Sequence, residues 1–509
     1  MQEHENLDLF QMTSEEQKRD ILKDQQKINA KEEVPPFIEK DHHKDNIVYK
    51  PSNKVSTFNH GAPREDELRS LTVGEFGPVL LQDLILVEKN QDFNRERIPE
   101  RVVHAKGAGA HGYFQVTNEF SKYSKAKLFS QNGKKTPIFV RFSQVVGEKG
   151  SMDTDREVRG FAIKFYTEEG NFDMVGNDLP VFFIRDGIKF PDFVHAQKKN
   201  PHSNLPDSDT VWDFISLHPE SVHVVTMLYS DRGTPASYRN IHSFGNHTFK
   251  FVNDKDEVHY VKFHVKAQAG FKSLTLEESK RIKSEDPDYL VRDLHNYLKD
   301  RKNEVKYDFC VQIMPAEKAA EYKFNILDVT KVWYQKDYPL IKIGEVVLNR
   351  NPTNFFAEVE QVAFSPANLV PGIEPTNDKV LQSRLFAYND AQFHRLGTKN
   401  YKQLPINCPF ASGFSNFQRD GVAAHYSQST GFPNYAPNSF GGPHSDHKFK
   451  MHLFGVEGKI DRYEFLHTDD DFEQVNILYT KVMDEKQRAN LIKNICDTLK
   501  DAKKFVILI

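Results

Sequence analysis

Tryptophan and cysteine are scarce in this chain of 509 residues, with two of the first and three of the second. Cys310, Cys408 and Cys496 stand far apart. They fit neither a disulfide framework nor the paired spacing of a thiolate metal cluster, and they point to a reducing compartment. Long apolar runs are missing as well: none approaches the roughly 18 residues of a membrane span. Residues 1–33 are polar and highly charged, without the apolar stretch of a signal peptide. The expectation is a chain that is neither secreted nor membrane-spanning. Neither sign of charge dominates, since Lys+Arg 68 against Asp+Glu 72 leaves −4. With no strongly basic domain, nucleic acid is not expected as a partner.

What is present is a large apolar fraction, 38% against 28% charged, with 40 phenylalanines. That supply suits a packed interior, with a large flat ligand as the other use for it. Gly107, Gly109 and Gly112 spell G-x-G-x-x-G, the spacing of a dinucleotide loop. That loop needs a strand before the glycines and a helix N-terminus after them. Here Arg95–Arg101 precedes them, interrupted by Pro99, and the strand-like run Tyr113–Thr117 follows. Both flanks contradict a nucleotide loop, which leaves His104 as the residue of interest.

Four regions are legible. Residues 1–70 form a polar arm in which the capping box Ser14–Gln17 opens a helix to about Lys31. Residues 71–350 carry repeated short strands, including Lys135–Ser143, Val181–Ile184, a hairpin of His247–Val252 with Val258–Val265, Asp308–Met314 and Glu345–Leu348. In Lys135–Ser143 the alternation puts Ile138, Val140 and Phe142 on one face and Phe139, Arg141 and Ser143 on the other. Helices are expected at Leu274–Lys283 and Asp286–Leu298. Many strands without βαβ alternation predict an α+β chain with a closed antiparallel β-barrel, or a sandwich, at its core. Residues 351–465, rich in Pro, Asn and Gly, read as a wrapping segment interrupted by one helix at about Asp378–Leu396, ended by Gly397. Residues 466–509 hold two amphipathic helices, Asp471–Met483 and Glu485–Lys500.

On the helix of the wrapping segment, Arg384, Tyr388, Gln392 and Arg395 fall on one stripe. A guanidinium one turn before a buried tyrosine favours phenolate, a hard anionic ligand suited to ferric iron. A solvated polar stripe is the plainer reading of that spacing alone.

Longer motifs tip the choice. Phe93–Gly109 resembles the distal segment of the haem catalases, and Arg384–Gln392 resembles their proximal, ligand-bearing segment. Asn171–Asn177, Arg185-Asp186 and Asn354–Gln361 match in order as well, so the resemblance runs from about residue 70 to 505. It implies the family's fold: a β-barrel core with an extended N-terminal arm, a wrapping segment carrying the haem-ligand helix, and a C-terminal helical region. It implies haem b as cofactor and hydrogen peroxide as substrate, one peroxide oxidising the haem and a second reducing it with release of dioxygen.

Residue by residue, the resemblance makes His104 the distal acid–base group, a role suited to the ordinary imidazole pKa near working pH. Asn177 orients peroxide and Ser143 positions His104. Tyr388 becomes the iron ligand, Arg384 keeps it anionic, and His247 and Asp378 form a relay behind Arg384. Arg101, Arg141 and Arg395 become partners of the haem propionates. Phe190 and Val103 become walls of the haem site.

Many family members also bind NADPH; His223, Ser230, Arg232 and Lys266 match positions used for it, while Met227 and Gln335 replace a common Phe and His. Other departures are Glu157-Val158 for the usual Asp-Pro, which makes Glu157 the expected channel carboxylate, and Asp178 for a second Asn. Asn389, Gln392 and Phe393 stand for Pro, His and Arg. A homotetramer threaded by N-terminal arms is implied, in peroxisome or cytosol; the final Val506–Ile509 does not match the S-K-L peroxisomal address. A haem peroxidase using organic donors and a non-catalytic haem-binding paralogue stay open at this point. The second has no use for His104 or Arg384.

Overall fold

The computed structural model describes residues 55–425, 433–463 and 470–508. The helix expected after Ser14, and most of the 1–70 arm, lie outside them. The chain divides into two compact units, Met1–Glu96 and Arg97–Ile509.

In the first unit the described residues hold one helix, α1 (Leu84–Phe93). Asp83 caps it by accepting from the Leu86 amide at 3.0 Å, and its other oxygen takes the Leu71 amide at 2.8 Å. The same carboxylate therefore starts the helix and ties it to the preceding loop.

The second unit is organised by ten strands, β1 (Gly107–Val116), β2 (Lys135–Gln144), β3 (Arg159–Thr167), β4 (Gly170–Asn177), β5 (Ser243–Phe244), β6 (Phe249–Val252), β7 (Val258–Ala267), β8 (Val305–Pro315), β9 (Ile341–Arg350) and β10 (Ile373–Glu374). All pairings are antiparallel. The order β1-β2-β3-β4-β5-β7-β8-β9 closes on itself through β9–β1, and β6 and β10 extend the wall beside β7. Closure removes the unpaired edges that an open sheet would expose.

The expected alternation in β2 is borne out. Ile138, Val140 and Phe142 point into the barrel core, while Arg141 and Ser143 face a cavity on its outside. Inside, Phe309 lies 5.4 Å from Phe114, 5.7 Å from Phe165 and 5.7 Å from Phe263, ring centre to ring centre. Each such pair adds about 0.5–1.5 kcal/mol beyond the area it buries. Much of the phenylalanine supply is therefore core, packed ring on ring inside the barrel.

Helices cover the barrel and build a second core. They are α2 (Phe190–Gln197), α3 (Ser208–Leu217), α4 (Val222–Tyr229), α5 (Leu276–Glu285), α6 (Tyr289–Lys299), α7 (Lys379–Leu396), α8 (Glu473–Ile477), α9 (Glu485–Leu499) and α10 (Lys504–Leu508). On α6, Leu290, Leu294 and Leu298 recur one turn apart and bury against the barrel core.

Two expectations are corrected. Val181–Ile184 is a series of bends, not a strand. Its apolar side chains face the second core among the helices, and only the Phe182 amide reaches a distant carbonyl, that of Val329, at 2.8 Å. The first hairpin strand starts at Phe249, because His247 and Thr248 are drawn away by other partners.

The three glycines of the rejected nucleotide loop all lie within β1, which starts six residues before the expected strand Tyr113–Thr117. They permit close approach of neighbouring strands: a Cβ on Gly112 would stand 1.8 Å from the Val347 carbonyl oxygen, beside the register shift between β1 and β9. Gly112→Ala is expected to prevent barrel closure and leave little soluble protein, whereas Gly150→Ala, at a site with open space around it, is expected to express as wild type. Soluble yield and thermal midpoint of the two variants check this.

Candidate active site

A cavity of about 690 Å³ lies between the outer face of β2–β4, the segment Glu100–His104 and one face of α7. Its size falls in the range of about 300–1,000 Å³ typical of cofactor sites.

The α7 wall is set by its ends. Asp378 precedes the helix, and its Oδ1 accepts from the amides of Val380 at 2.8 Å and Leu381 at 3.1 Å. Gly397 ends it with φ 74, the left-handed conformation that glycine adopts freely. Between those stops Arg384, Ala387, Tyr388, Ala391, Gln392 and Arg395 share the cavity-facing stripe. The two alanines keep that face flat.

Arg384 Nη2 donates to Tyr388 Oη at 2.7 Å and to the Val175 carbonyl at 3.1 Å, and Nη1 donates to His247 Nε2 at 2.6 Å. Because arginine only donates, His247 Nε2 must accept, so the ring proton sits on Nδ1, which donates to Asp378 Oδ2 at 2.5 Å. Burial lowers the His247 pKa by more than Asp378 raises it, in keeping with a neutral ring. Burial opposes the charge on Asp378, but His247 and the helix amides outweigh it and hold its carboxyl below the usual range. The four residues matched to the proximal side thus form one hydrogen-bonded chain.

Opposite them, His104 Nδ1 bonds Ser143 Oγ at 2.9 Å. Its backbone is left-handed, φ 68, and its N–H donates to the Val145 carbonyl at 2.9 Å. Asn177, the last residue of β4, lines the same cavity with Val103 and Phe190.

Gly160 is a residue that motif reading missed: a Cβ there would meet Ser143 Oγ at 2.4 Å and His104 Nδ1 at 2.5 Å. An Arg-Gly-Phe sequence in an otherwise bulky strand was the available signal.

The expectation of an ordinary imidazole pKa is corrected. Burial, followed by the guanidiniums of Arg141, Arg384 and Arg101, pushes His104 down to about 3.

Arg101, Arg141 and Arg395 gather at one rim. Arg141 donates to the carbonyls of His104 and Ala105 at 2.8 and 3.0 Å. Arg101 Nη2 donates to those of Val359, Glu360 and Val362, and Arg395 donates to those of Glu360 and Val362. Burial lowers all three pKa values, to about 10 for Arg141 and Arg395; the Glu360 carboxylate, 3.9 Å from Arg101 Nη1, acts against this on all three, while neighbouring arginines lower Arg101 and Arg141 further. Arg101 Nη1 and Arg141 Nε are buried without a hydrogen-bond partner among the described residues. A crowd of cations with unused donors fits a ligand bearing carboxylates.

The departures beside Tyr388 are absorbed locally. Gln392 Oε1 accepts from Arg395 Nη2 at 2.6 Å, Asn389 Oδ1 accepts from Tyr401 Oη at 2.7 Å, and Phe393 packs on the Tyr401 ring.

The residues matched to an NADPH site lie apart from this cavity. His223 and Ser230 are two turns apart on the α4 side of the second core, and His223 Nδ1 donates to the Thr330 carbonyl at 2.8 Å. Ser230 Oγ accepts from the Arg232 amide at 3.2 Å. Burial and then the charge of Arg232 lower the pKa of Lys266, and burial lowers that of Arg232 against the opposing charge of Asp178.

The fold and the two facing sets of groups define a β-barrel protein with a cavity on its outer wall, a His104–Ser143 pair on one side and the Arg384–Tyr388 pair on the other. The profile of the family described as Catalase matches residues 57–442. The catalase of Methanosarcina barkeri is 53% identical over 459 residues, 90% of each chain, and that of Sus scrofa is 51% identical over 452, which is 89% of this chain and 85% of the other. A fungal catalase structure superposes with TM-score 0.87 at 42% identity, covering 91% of this chain and 94% of that one. Catalase A of Saccharomyces cerevisiae gives 0.86 at 42% identity, with 89% and 94% covered.

The chain belongs to the catalase family. It is an oxidoreductase that decomposes hydrogen peroxide, and its cofactor is haem, which the cationic rim and the Tyr388 chain fit.

A lowered pKa extends the unprotonated range of His104 downward, so the ring stays neutral as pH falls to about 4. Oxygen evolution is therefore expected to be level between about pH 5 and 8. A rate that declines with a midpoint near 6.5, the ordinary histidine value, contradicts this.

Proposed function

We propose that the cavity holds haem b with Tyr388 as the iron ligand and His104 as the distal acid–base group, and that the chain dismutes two hydrogen peroxides to dioxygen and two waters without an organic donor. The observation that carries this reading is the unbroken chain Asp378–His247–Arg384–Tyr388 facing the His104–Ser143 pair across one cavity.

Haem, when bound, supplies the two-electron redox chemistry; the chain supplies ligand, proton handling and access. Arg384 favours an anionic Tyr388 oxygen, because its charge-assisted bond is stronger to phenolate than to phenol. Arg101, Arg141 and Arg395 pair with the two propionates, Arg101 and Arg141 through the Nη1 and Nε donors that protein acceptors leave free. Val103 and Phe190 bound the site as apolar walls.

His104, neutral and fixed through Nδ1 by Ser143, has Nε2 left to accept a proton from peroxide and return it to the departing oxygen. The Asn177 amide orients the peroxide, donating to one oxygen. In its second turn His104 takes a proton from the peroxide that leaves as dioxygen and gives it to the water that forms.

The reading extends to NADPH at Ser230, Arg232, Lys266 and His223, where two cations that feel one another's charge suit phosphate groups. It extends to a homotetramer, supported by the exposed Phe440, Phe449, Leu453, Val456 and Ile460 of the wrapping segment. Work in the peroxisome or the cytoplasm is in keeping with the three dispersed cysteines, and among the described residues no helix is long and apolar enough to cross a membrane.

Protein expressed with a haem precursor is expected to release one dioxygen per two peroxides with no donor present. His104→Ala is expected to keep haem and lose turnover by 100-fold or more, on the order of general acid–base contributions. Wild-type turnover in that variant removes the acid–base assignment, and turnover only with an organic donor removes dismutation. Fluorescence titration after dialysis tests NADPH, and sedimentation at four times the 58.9 kDa chain tests the tetramer.

A further inference from the structure

Glu157 was expected to face the channel as a carboxylate one methylene longer than the family's aspartate. It does not line the cavity. Its Oε1 accepts from the amides of Val146 and, at 2.9 Å, Gly147, and its Oε2 accepts from Gln144 Nε2 at 3.1 Å. These donors lie on both sides of Val145.

Val145 is the residue whose carbonyl takes the His104 N–H at 2.9 Å. Its own N–H donates to the Val158 carbonyl at 3.1 Å, the neighbour of Glu157. His104 has φ 68, a conformation a β-carbon disfavours, so this hydrogen bond holds a backbone that would otherwise relax.

We propose that Glu157 is a positioning residue for His104, a carboxylate clamp on the turn 144–147 that keeps the Val145 carbonyl in place.

The chemistry of the three donors selects a carboxylate of this length. Both of its oxygens only accept, and they match donors that come from two directions. A glutamine would turn its NH₂ either on the Gln144 NH₂ or on the two amides. An aspartate is too short to serve both sets. Gln144 is itself fixed, with Nε2 also donating to the Met152 carbonyl at 2.9 Å and Oε1 accepting from Ser151 Oγ at 2.8 Å. The clamp therefore rests on an anchored partner. Burial raises the Glu157 pKa, and the charge of Arg159 and the amides of Gly147 and Val146 act against that rise.

The inference rests on the reading of His104 as the acid–base group, and the test separates the two. Haem-loaded Glu157→Asp and Glu157→Gln proteins are compared with wild type in three ways: hydrogen exchange of the peptide spanning Arg101–Lys106, association of cyanide with the haem, and oxygen evolution. Cyanide arrives as HCN and gives its proton to the distal base, so its rate reports His104 without turnover. Both variants are expected to lose protection at the His104 amide and to bind cyanide about 10- to 100-fold more slowly, the scale of a misplacement near 1 Å. In a His104→Ala background, Glu157→Gln is expected to slow cyanide no further, because both changes act through one group. Gln144→Met, which removes one donor and no charge, is expected to lose part of the protection.

Unchanged exchange at His104 in both Glu157 variants overturns the clamp, whatever His104 does. So does a wild-type cyanide rate in Glu157→Asp, which would mark the residue as a channel carboxylate after all. So does a loss that multiplies with that of His104→Ala, as a general packing defect would. If exchange protection falls while His104→Ala stays active, the clamp stands and the acid–base reading of His104 fails.

Discussion

One guanidinium joins the barrel to the helix that bears the ligand. Arg384 is half-buried, and the acceptors for its guanidinium come from three places: Tyr388 on its own helix, Val175 on β4, and His247 in the loop between β5 and β6. Losing any one of these charge-assisted hydrogen bonds carries a penalty. That penalty fixes the rotation of α7 about its axis, and with it every residue on the cavity stripe. Asp378 fixes the helix along its axis by capping its first turn while holding His247. The proximal side is thus set by hydrogen-bond demand more than by packing.

The rim obeys a second demand, charge. Arg101 and Arg395 share the carbonyls of Glu360 and Val362, and Arg141 holds those of His104 and Ala105, so the cations are laced to the backbone of both walls. They crowd one another, and their field reaches His104. Proton affinity on the distal side is therefore set in part by groups whose other task is to hold a ligand at its edge. Distal chemistry and cofactor retention are not independent properties of this pocket.

Much of this was legible in the sequence, for reasons that differ by region. The α7 stripe could be read because four residues at helical spacing carry unusual chemistry, and Gly397 marks the stop. The β2 alternation separated barrel core from cavity wall because each face has its own kind of residue. Val181–Ile184 misled because an apolar run announces burial, and only a partner strand makes it a strand. Gly160 escaped because glycine says nothing about what lies over it until the fold brings His104 there. The His104 pKa escaped for a related reason: three arginines far apart in sequence act on it together. Glu157 was placed in the channel by its position in a motif, while its side chain follows the nearest free amides.

The composition of the core has one more consequence. This chain handles an oxidant, and the barrel interior is filled chiefly with phenylalanine and branched aliphatic side chains, which hydrogen peroxide does not readily attack. Thiolate is the form of cysteine that peroxide oxidises. Burial pushes the Cys310 thiol up to about 11 and raises that of Cys408 as well, which keeps both protonated. Cys496 alone among the three is exposed. Met174 apart, the barrel interior thus offers the enzyme's own substrate little to oxidise, a form of durability that no measure of folding stability would record.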